Sequence, residues 1–272
     1  MPTRPERIKA VHVGQTPLCY MGGKQRMAGD LSDALPEHGV YVEPFAGGLA
    51  VLFAKRPVPL EVVNDLDECV ATFWRVLRDA PEELARVCEL TPCSRKEFEL
   101  AKTRPHGPTD LETARRLFVR YDQSFSSGGR GFSWRNHIQG NRSIRLEACA
   151  ERLKGVIVES RDALELIPEW DVEGGLIYCD PPYHPDTRDP GLYQEDVKDG
   201  FHEELVGVLN NLVSATYVLS AYAHPVFDGL EDHDCFIRTQ NKDTSAKRGT
   251  PGKLASECIY APRGVLAWQL SL

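Results

Sequence analysis

The sequence has no run approaching the roughly 18 consecutive apolar residues that a membrane-crossing helix needs. Its opening, Met1-Pro2-Thr3-Arg4-Pro5, has none of the apolar core of an export signal. The expectation is a cytoplasmic protein that does not engage a membrane. The eight cysteines are scattered with no C-x-x-C pair, and the eight histidines form no cluster at metal-ligand spacing. They predict reduced, mostly buried thiols and no bound metal. Basic residues are outnumbered, 32 against 40, for a net charge of −8, which argues against a chain that grips a polyanion over its whole surface. There is no internal repeat, no low-complexity tail and no sign of an obligate protein partner.

What is present suits an α/β catalytic domain with an inserted subdomain: 272 residues, 42% of them hydrophobic. Short apolar runs bounded by turn residues read as strands at Val40 to Glu43, Leu60 to Val63, Val156 to Glu159, Leu176 to Cys179, Thr216 to Ser220, Cys235 to Thr239 and Glu257 to Tyr260. Amphipathic stretches at Lys24 to Leu35, Leu49 to Lys55, Leu66 to Arg78 and Phe201 to Val213 alternate with several of them. That alternation predicts a doubly wound, mostly parallel, Rossmann-like sheet. Residues 79–155 read as a helical insertion, with capping boxes at Ser94 and Thr109, between catalytic-domain segments 1–78 and 156–272.

The most specific local feature is Asp180-Pro181-Pro182-Tyr183, directly after the strand Leu176 to Cys179. Open α/β sheets place their sites at that end of a strand. A rigid strand-ending turn is the other reading of two successive prolines. Glu43-Pro44-Phe45-Ala46-Gly47-Gly48 joins a strand to a helix, where glycines let backbone approach a nucleotide-like ligand closely. Asp65 ends the next strand, 18 residues after Gly47, near the spacing of about 20 at which an acid meets ribose hydroxyls.

Together with Tyr20-Met21-Gly22-Gly23-Lys24, these motifs and their order along nearly the whole chain resemble Dam-type DNA adenine methyltransferases. The resemblance implies a methyltransferase sheet with a target-recognition insertion, S-adenosyl-L-methionine as cofactor, and double-stranded DNA as partner. Asp180, Pro181, Pro182 and Tyr183 would then be catalytic. The amine of adenine is a poor nucleophile because its lone pair is delocalised into the ring. Acceptance of its two N–H bonds by the Asp180 carboxylate and the Pro181 carbonyl localises that pair, while Tyr183 offers a face for a base rotated out of the duplex. The cofactor would be held by Tyr20, Gly22, Gly23, Lys24, Glu43, Pro44, Phe45, Ala46, Gly47, Gly48, Asp65, Asp162 and Asp180. Asp162 is equally readable as a helix cap, and Lys24 as a solvated lysine at a helix start. Where the family commonly has a further glycine, this chain has Leu49, so the cofactor helix cannot approach quite as closely unless that side chain points into the core.

From Arg115 to Lys154, nine bases face three acids. Arg120, Ser124, Arg130, Arg135, Asn136 and Arg142 in this stretch, interleaved with Phe125, Phe132 and Trp134, are candidate DNA contacts. So are Lys242, Lys247 and Arg248 on a late Gly/Pro-containing loop. A solvated basic face is the alternative. Methylation of adenine in RNA, methylation of the cytosine N4 amine, and a non-catalytic nucleic-acid-binding relic of the fold remain open beside DNA adenine-N6 methylation. No cleavage constellation stands out, so only methylation is assigned.

Overall fold

The computed structural model describes residues 16–18, 20, 22–125, 128–134, 142–187, 197–241 and 254–266. The chain divides into two compact units. The first comprises Met1–Asp33, Gly47–Pro57 and Glu68–Val158, and the second Ala34–Ala46, Val58–Asp67 and Glu159–Leu272.

The second unit carries the sheet apart from Ile157 and Val158, the first two residues of its edge strand. Strands β1 (Val40–Glu43), β2 (Leu60–Asn64), β3 (Ile157–Glu159), β4 (Gly175–Cys179), β5 (Thr216–Tyr222), β6 (His233–Asn241) and β7 (Leu254–Pro262) lie in the order β3-β2-β1-β4-β5-β7-β6. All seven sequence-predicted strands are present. β1 pairs parallel with β2 and β4, and β4 with β5. β7 runs antiparallel between β5 and β6. Every residue of β4 is buried, which is why its sequence reads as a continuous apolar run rather than an alternation. Around it pack Val42, Val62, Leu166, Leu205, Leu219 and Tyr260, with α8 (Ala163–Glu169) and α9 (Phe201–Asn210) contributing their apolar stripes.

The first unit is helical: α1 (Ala28–Ala34), α2 (Ala50–Ala54), α3 (Glu68–Asp79), α4 (Pro81–Leu90), α5 (Arg95–Thr103), α6 (Asp110–Asp122) and α7 (Arg142–Leu153), α1 ending one residue past its boundary. Beyond residues 79–155 it takes in α1, α2 and α3. The reason is visible in α3, where Val70, Phe73, Trp74 and Leu77 are wholly buried. A helix covered so completely belongs to a core, and α3 packs on α6 and α7. Ser94 and Thr109 cap α5 and α6 as their sequences predict, each side chain accepting a backbone N–H from the first turn.

Leu49, at the start of α2, has the left-handed backbone φ 52°, ψ 33° and is 1% exposed. Its side chain does turn into the core, and burial offsets a conformation that costs a non-glycine residue about 1–2 kcal/mol. Leu49→Gly should therefore be less destabilising than Leu49→Ala, by about 1 kcal/mol, because both lose the buried side chain but only glycine relieves the backbone. Denaturant midpoints of the two variants check this. An alanine variant as stable as the glycine variant would remove the strain argument.

Candidate active site

In the second unit, the strand order leaves β1 towards β2 on one side and towards β4 on the other. Open α/β sheets bind ligands at such a reversal, at the carboxyl ends of the strands. Val42 lies opposite Ile177 in the β1–β4 register, so Glu43 and Asp180 leave the sheet from neighbouring strand ends. Glu43 is buried and accepts the Tyr41 hydroxyl at 2.8 Å. Burial and the adjacent carboxylate hold the Tyr41 phenol well above its ordinary pKa.

Asn64, fully buried at the end of β2, ties three segments together. Its Nδ2 donates to Pro44 O at 2.9 Å and to Arg161 O at 3.0 Å, and its Oδ1 accepts from Arg161 N at 2.8 Å. The Asn64 carbonyl in turn accepts from Ala46 N at 2.7 Å. This fixes the backbone of Glu43 to Ala46 and the turn before α8 relative to Asp65. The half-buried Asp65 accepts Asp67 N at 3.0 Å through Oδ1. Asp162 caps α8, Oδ1 accepting from Leu164 N at 2.9 Å. Its cap reading is therefore realised with one oxygen, and among the described residues no donor reaches Oδ2.

Asp180 stands half-buried at the end of β4, followed by the buried Pro181. Burial, then the Asp180 carboxylate, pushes the Cys179 thiol well up. The next two residues are held from separate elements. Pro182 O accepts from His202 Nε2 at 2.9 Å, from the first turn of α9. Tyr183 donates its hydroxyl to Glu257 Oε2 at 3.2 Å, on β7, and stacks on Tyr222 with ring centroids 3.8 Å apart and planes 13° from parallel. One face of the Tyr183 ring is thus already covered by protein.

Burial lowers the His202 imidazole pKa below its ordinary 6.5, with the neighbouring His184 and His224 acting in the same direction and Pro182 O and Glu203 opposing. The folded chain then refuses a proton that the unfolded chain accepts. The resulting stability is fully present above about pH 6.5 and is lost as pH falls towards the lowered folded value. His202→Gln should flatten the fall of melting temperature between about pH 7 and pH 5. Equal slopes in parent and variant would contradict it.

His184, Asp186 and His224 form, among the described residues, the one group of potential metal ligands, their atoms within 4.8 Å of one another. Sequence spacing did not reveal it. The two imidazoles stack with centroids 3.6 Å apart and planes 17° from parallel. Their Nδ1 atoms accept from Asp186 N at 3.3 Å and Val226 N at 3.2 Å. An imidazole binds a metal ion in its own plane through a free lone pair, and two near-parallel rings at this separation share no such point. As it stands the group is a hydrogen-bonded stack rather than a metal centre.

In the first unit, Gly47 (φ 43°) and Gly48 are crowded by the chain's own residues. A Cβ on Gly47 would lie 3.0 Å from Tyr20 Cδ1, and one on Gly48 would lie 3.2 Å from Leu18 O. Trp74 Nε1 donates to Gly47 O at 3.0 Å. The Tyr20 ring packs on Tyr121, centroids 5.0 Å apart. Gly22 has φ 78°, and Gly23 N donates to Tyr20 O at 3.2 Å. Lys24 is 5% exposed and donates to Gly22 O at 3.3 Å, so it is not the solvated lysine of the alternative reading.

Comparison with known proteins decides the family. The family described as D12 class N6 adenine-specific DNA methyltransferase matches residues 20–228. The chain belongs to it. No curated protein matches. A solved structure of the Escherichia coli protein yhhF covers 96% of this chain and 91% of its own at 11% identity, with a TM-score of 0.34, too low a likeness to support any argument.

In this methyltransferase much of the basic stretch is spent internally. Arg115 pairs with Glu97 and Glu112 at 3.0 and 2.7 Å, and Arg116 with Glu112 at 2.8 Å. Arg152 is buried, and Lys154 pairs with Glu151. Arg120 donates to Gly129 O at 3.3 Å. Ser124, proposed from the sequence as a DNA contact, is fully buried and instead organises its loop, donating to Tyr121 O at 2.9 Å and accepting Gly129 N at 3.0 Å. Arg130, Phe125 and Trp134 are exposed. Arg135, Asn136, Lys242, Lys247 and Arg248 lie outside the described residues, as does the side chain of Arg142.

Proposed function

We propose that this methyltransferase moves a methyl group from S-adenosyl-L-methionine to the N6 amine of an adenine rotated out of double-stranded DNA. The observation that carries the reading is the placement of Asp180-Pro181-Pro182-Tyr183 at the carboxyl end of β4, beside the β1 end at the sheet's reversal. Asp180 accepts one amine N–H and Pro181 O the other, which localises the nitrogen lone pair and strengthens as positive charge develops there. Tyr183 is only 6% exposed, with one face on Tyr222, so a base would reach its other face only after the residues over it move aside. Two prolines and the bonds at Pro182 and Tyr183 keep the acceptors from reorganising.

The donor set of the second unit fits a cationic nucleoside. Glu43, Asp65, Asp162 and Asp180 are carboxylates at or just beyond the ends of β1, β2, β3 and β4, and Asp162 keeps one oxygen for a ligand. When bound, the cofactor supplies a methyl group on a positively charged sulfur. Asp65 would accept ribose hydroxyls and Asp162 the cofactor's adenine amine, with the backbone from Glu43 to Ala46 completing the binding in this unit; for Tyr20, Gly22, Gly23, Lys24, Gly47 and Gly48 a cofactor role rests on the family resemblance alone. Arg130, with Phe125 and Trp134 exposed in the same loop, is assigned to DNA, as are Arg135, Asn136, Arg142, Lys242, Lys247 and Arg248, whereas Arg120, expected from the sequence to touch DNA, is engaged by Gly129 O and the Tyr121 ring.

Labelled cofactor incubated with duplex DNA, RNA and no substrate tests the reading, with nucleosides separated afterwards. Label on N6-methyladenine from duplex DNA is expected. Label on cytosine or on RNA alone would move the substrate to one of the alternatives, and no transfer to any would favour the non-catalytic relic.

A further inference from the structure

Glu257 lies on β7, beyond the residues 20–228 that the family covers. It is 3% exposed, between Ser256 and the buried Cys258 and Ile259. A strand in the middle of a sheet needs no carboxylate there, and burying one is costly unless it is fully hydrogen-bonded. Both oxygens are engaged. Oε2 accepts the Tyr183 hydroxyl at 3.2 Å, and Oε1 accepts Ser220 Oγ, itself fully buried, at 2.9 Å. In the β5–β7 register Glu257 sits directly opposite Tyr222, the residue whose ring stacks on Tyr183. The antiparallel insertion of β7 beside β5 is what brings this carboxylate to the loop that follows β4.

We propose that Glu257 is a positioning residue for methyl transfer, acting through the Tyr183 phenol to fix the loop that carries Asp180 and Pro181. With His202 holding Pro182 O from α9, the loop is pinned at two successive residues from two elements. Among the described residues no donor reaches Pro181 O, the carbonyl that the reaction needs for the amine. Glu257 itself touches neither substrate nor cofactor. The inference rests on the proposed function, in which Asp180 and Pro181 O are the amine acceptors.

The test is a double-mutant cycle of Glu257→Gln and Tyr183→Phe, read as kcat and KM, with cofactor affinity by calorimetry and melting temperature alongside. Glutamine keeps the shape but offers one acceptor oxygen in place of two and carries no charge, so the charge-assisted bond that the carboxylate accepts from the phenol is lost. Each single variant should lower kcat about tenfold through loss of loop register, with cofactor affinity unchanged. The double variant should be no slower than the slower single, since both delete the same bond. Multiplying effects would show that Glu257 does not act through the phenol, and a Glu257→Gln variant with full kcat would also overturn the inference. Should Glu257→Gln fail to fold, Tyr183→Phe removes the bond from its other end, and full kcat there would be equally decisive. A parent protein that transfers no methyl to adenine would fail the functional reading instead.

Discussion

Asp180→Ala should lose turnover by a hundredfold or more while binding cofactor and melting much as the parent does. The carboxylate stands half-buried at the mouth of β4 rather than in the core, so its removal leaves the apolar strand beneath it intact. Its largest proposed contribution is at the amine, where acceptance of one N–H gains strength as the transition state is approached, whereas the cofactor keeps its other carboxylates. A single preorganised group of this kind contributes on the order of 3 kcal/mol. Single-turnover transfer of labelled methyl to duplex DNA measures the loss, and calorimetry measures cofactor affinity. Retained turnover with weakened cofactor binding would reassign Asp180 to the cofactor.

Asn64→Ala should destabilise the fold by about 4 kcal/mol, a large share of a typical stability. The side chain makes three hydrogen bonds with no exposure to solvent. Its loss leaves Pro44 O, Arg161 O and Arg161 N without these partners inside the protein, and each such group costs about 1–3 kcal/mol. Because the same bonds hold the segments flanking Asp65, cofactor affinity should fall with stability. Urea denaturation gives the first quantity and calorimetry the second. A loss under about 1 kcal/mol would mean that water enters and replaces the amide.

Most of the architecture was legible in the sequence because strands and helices are written in local periodicity. The Val40 to Glu43 strand was read to the residue, and the caps at Ser94 and Thr109 follow from short-range chemistry. What was not legible depends on residues distant in the chain. Nothing in the local sequence marks Asn64 as a tie, because that function depends on Arg161. The place of β7 between β5 and β6 has no local signal, so neither had the bond from Tyr183 to Glu257. The basic stretch misled for the same reason. Counting charges between Arg115 and Lys154 could not show that Glu97 and Glu112, outside that window, already take up Arg115 and Arg116.

The indole of Trp74 is wholly buried, flanked by Phe53 and Phe73 at centroid distances of 5.6 and 4.9 Å, and bonded to the carbonyl of Gly47. The glycine loop is thereby wired to a fluorophore. An indole in dry aromatic surroundings emits further to the blue than an exposed one such as Trp134, 57% exposed, so among the four tryptophans Trp74 contributes on the blue side of the emission. A ligand that draws the Gly47 carbonyl away from Nε1 changes the emission of the buried indole. Occupancy of the loop can therefore be followed optically in the unlabelled protein, before any methyl group moves.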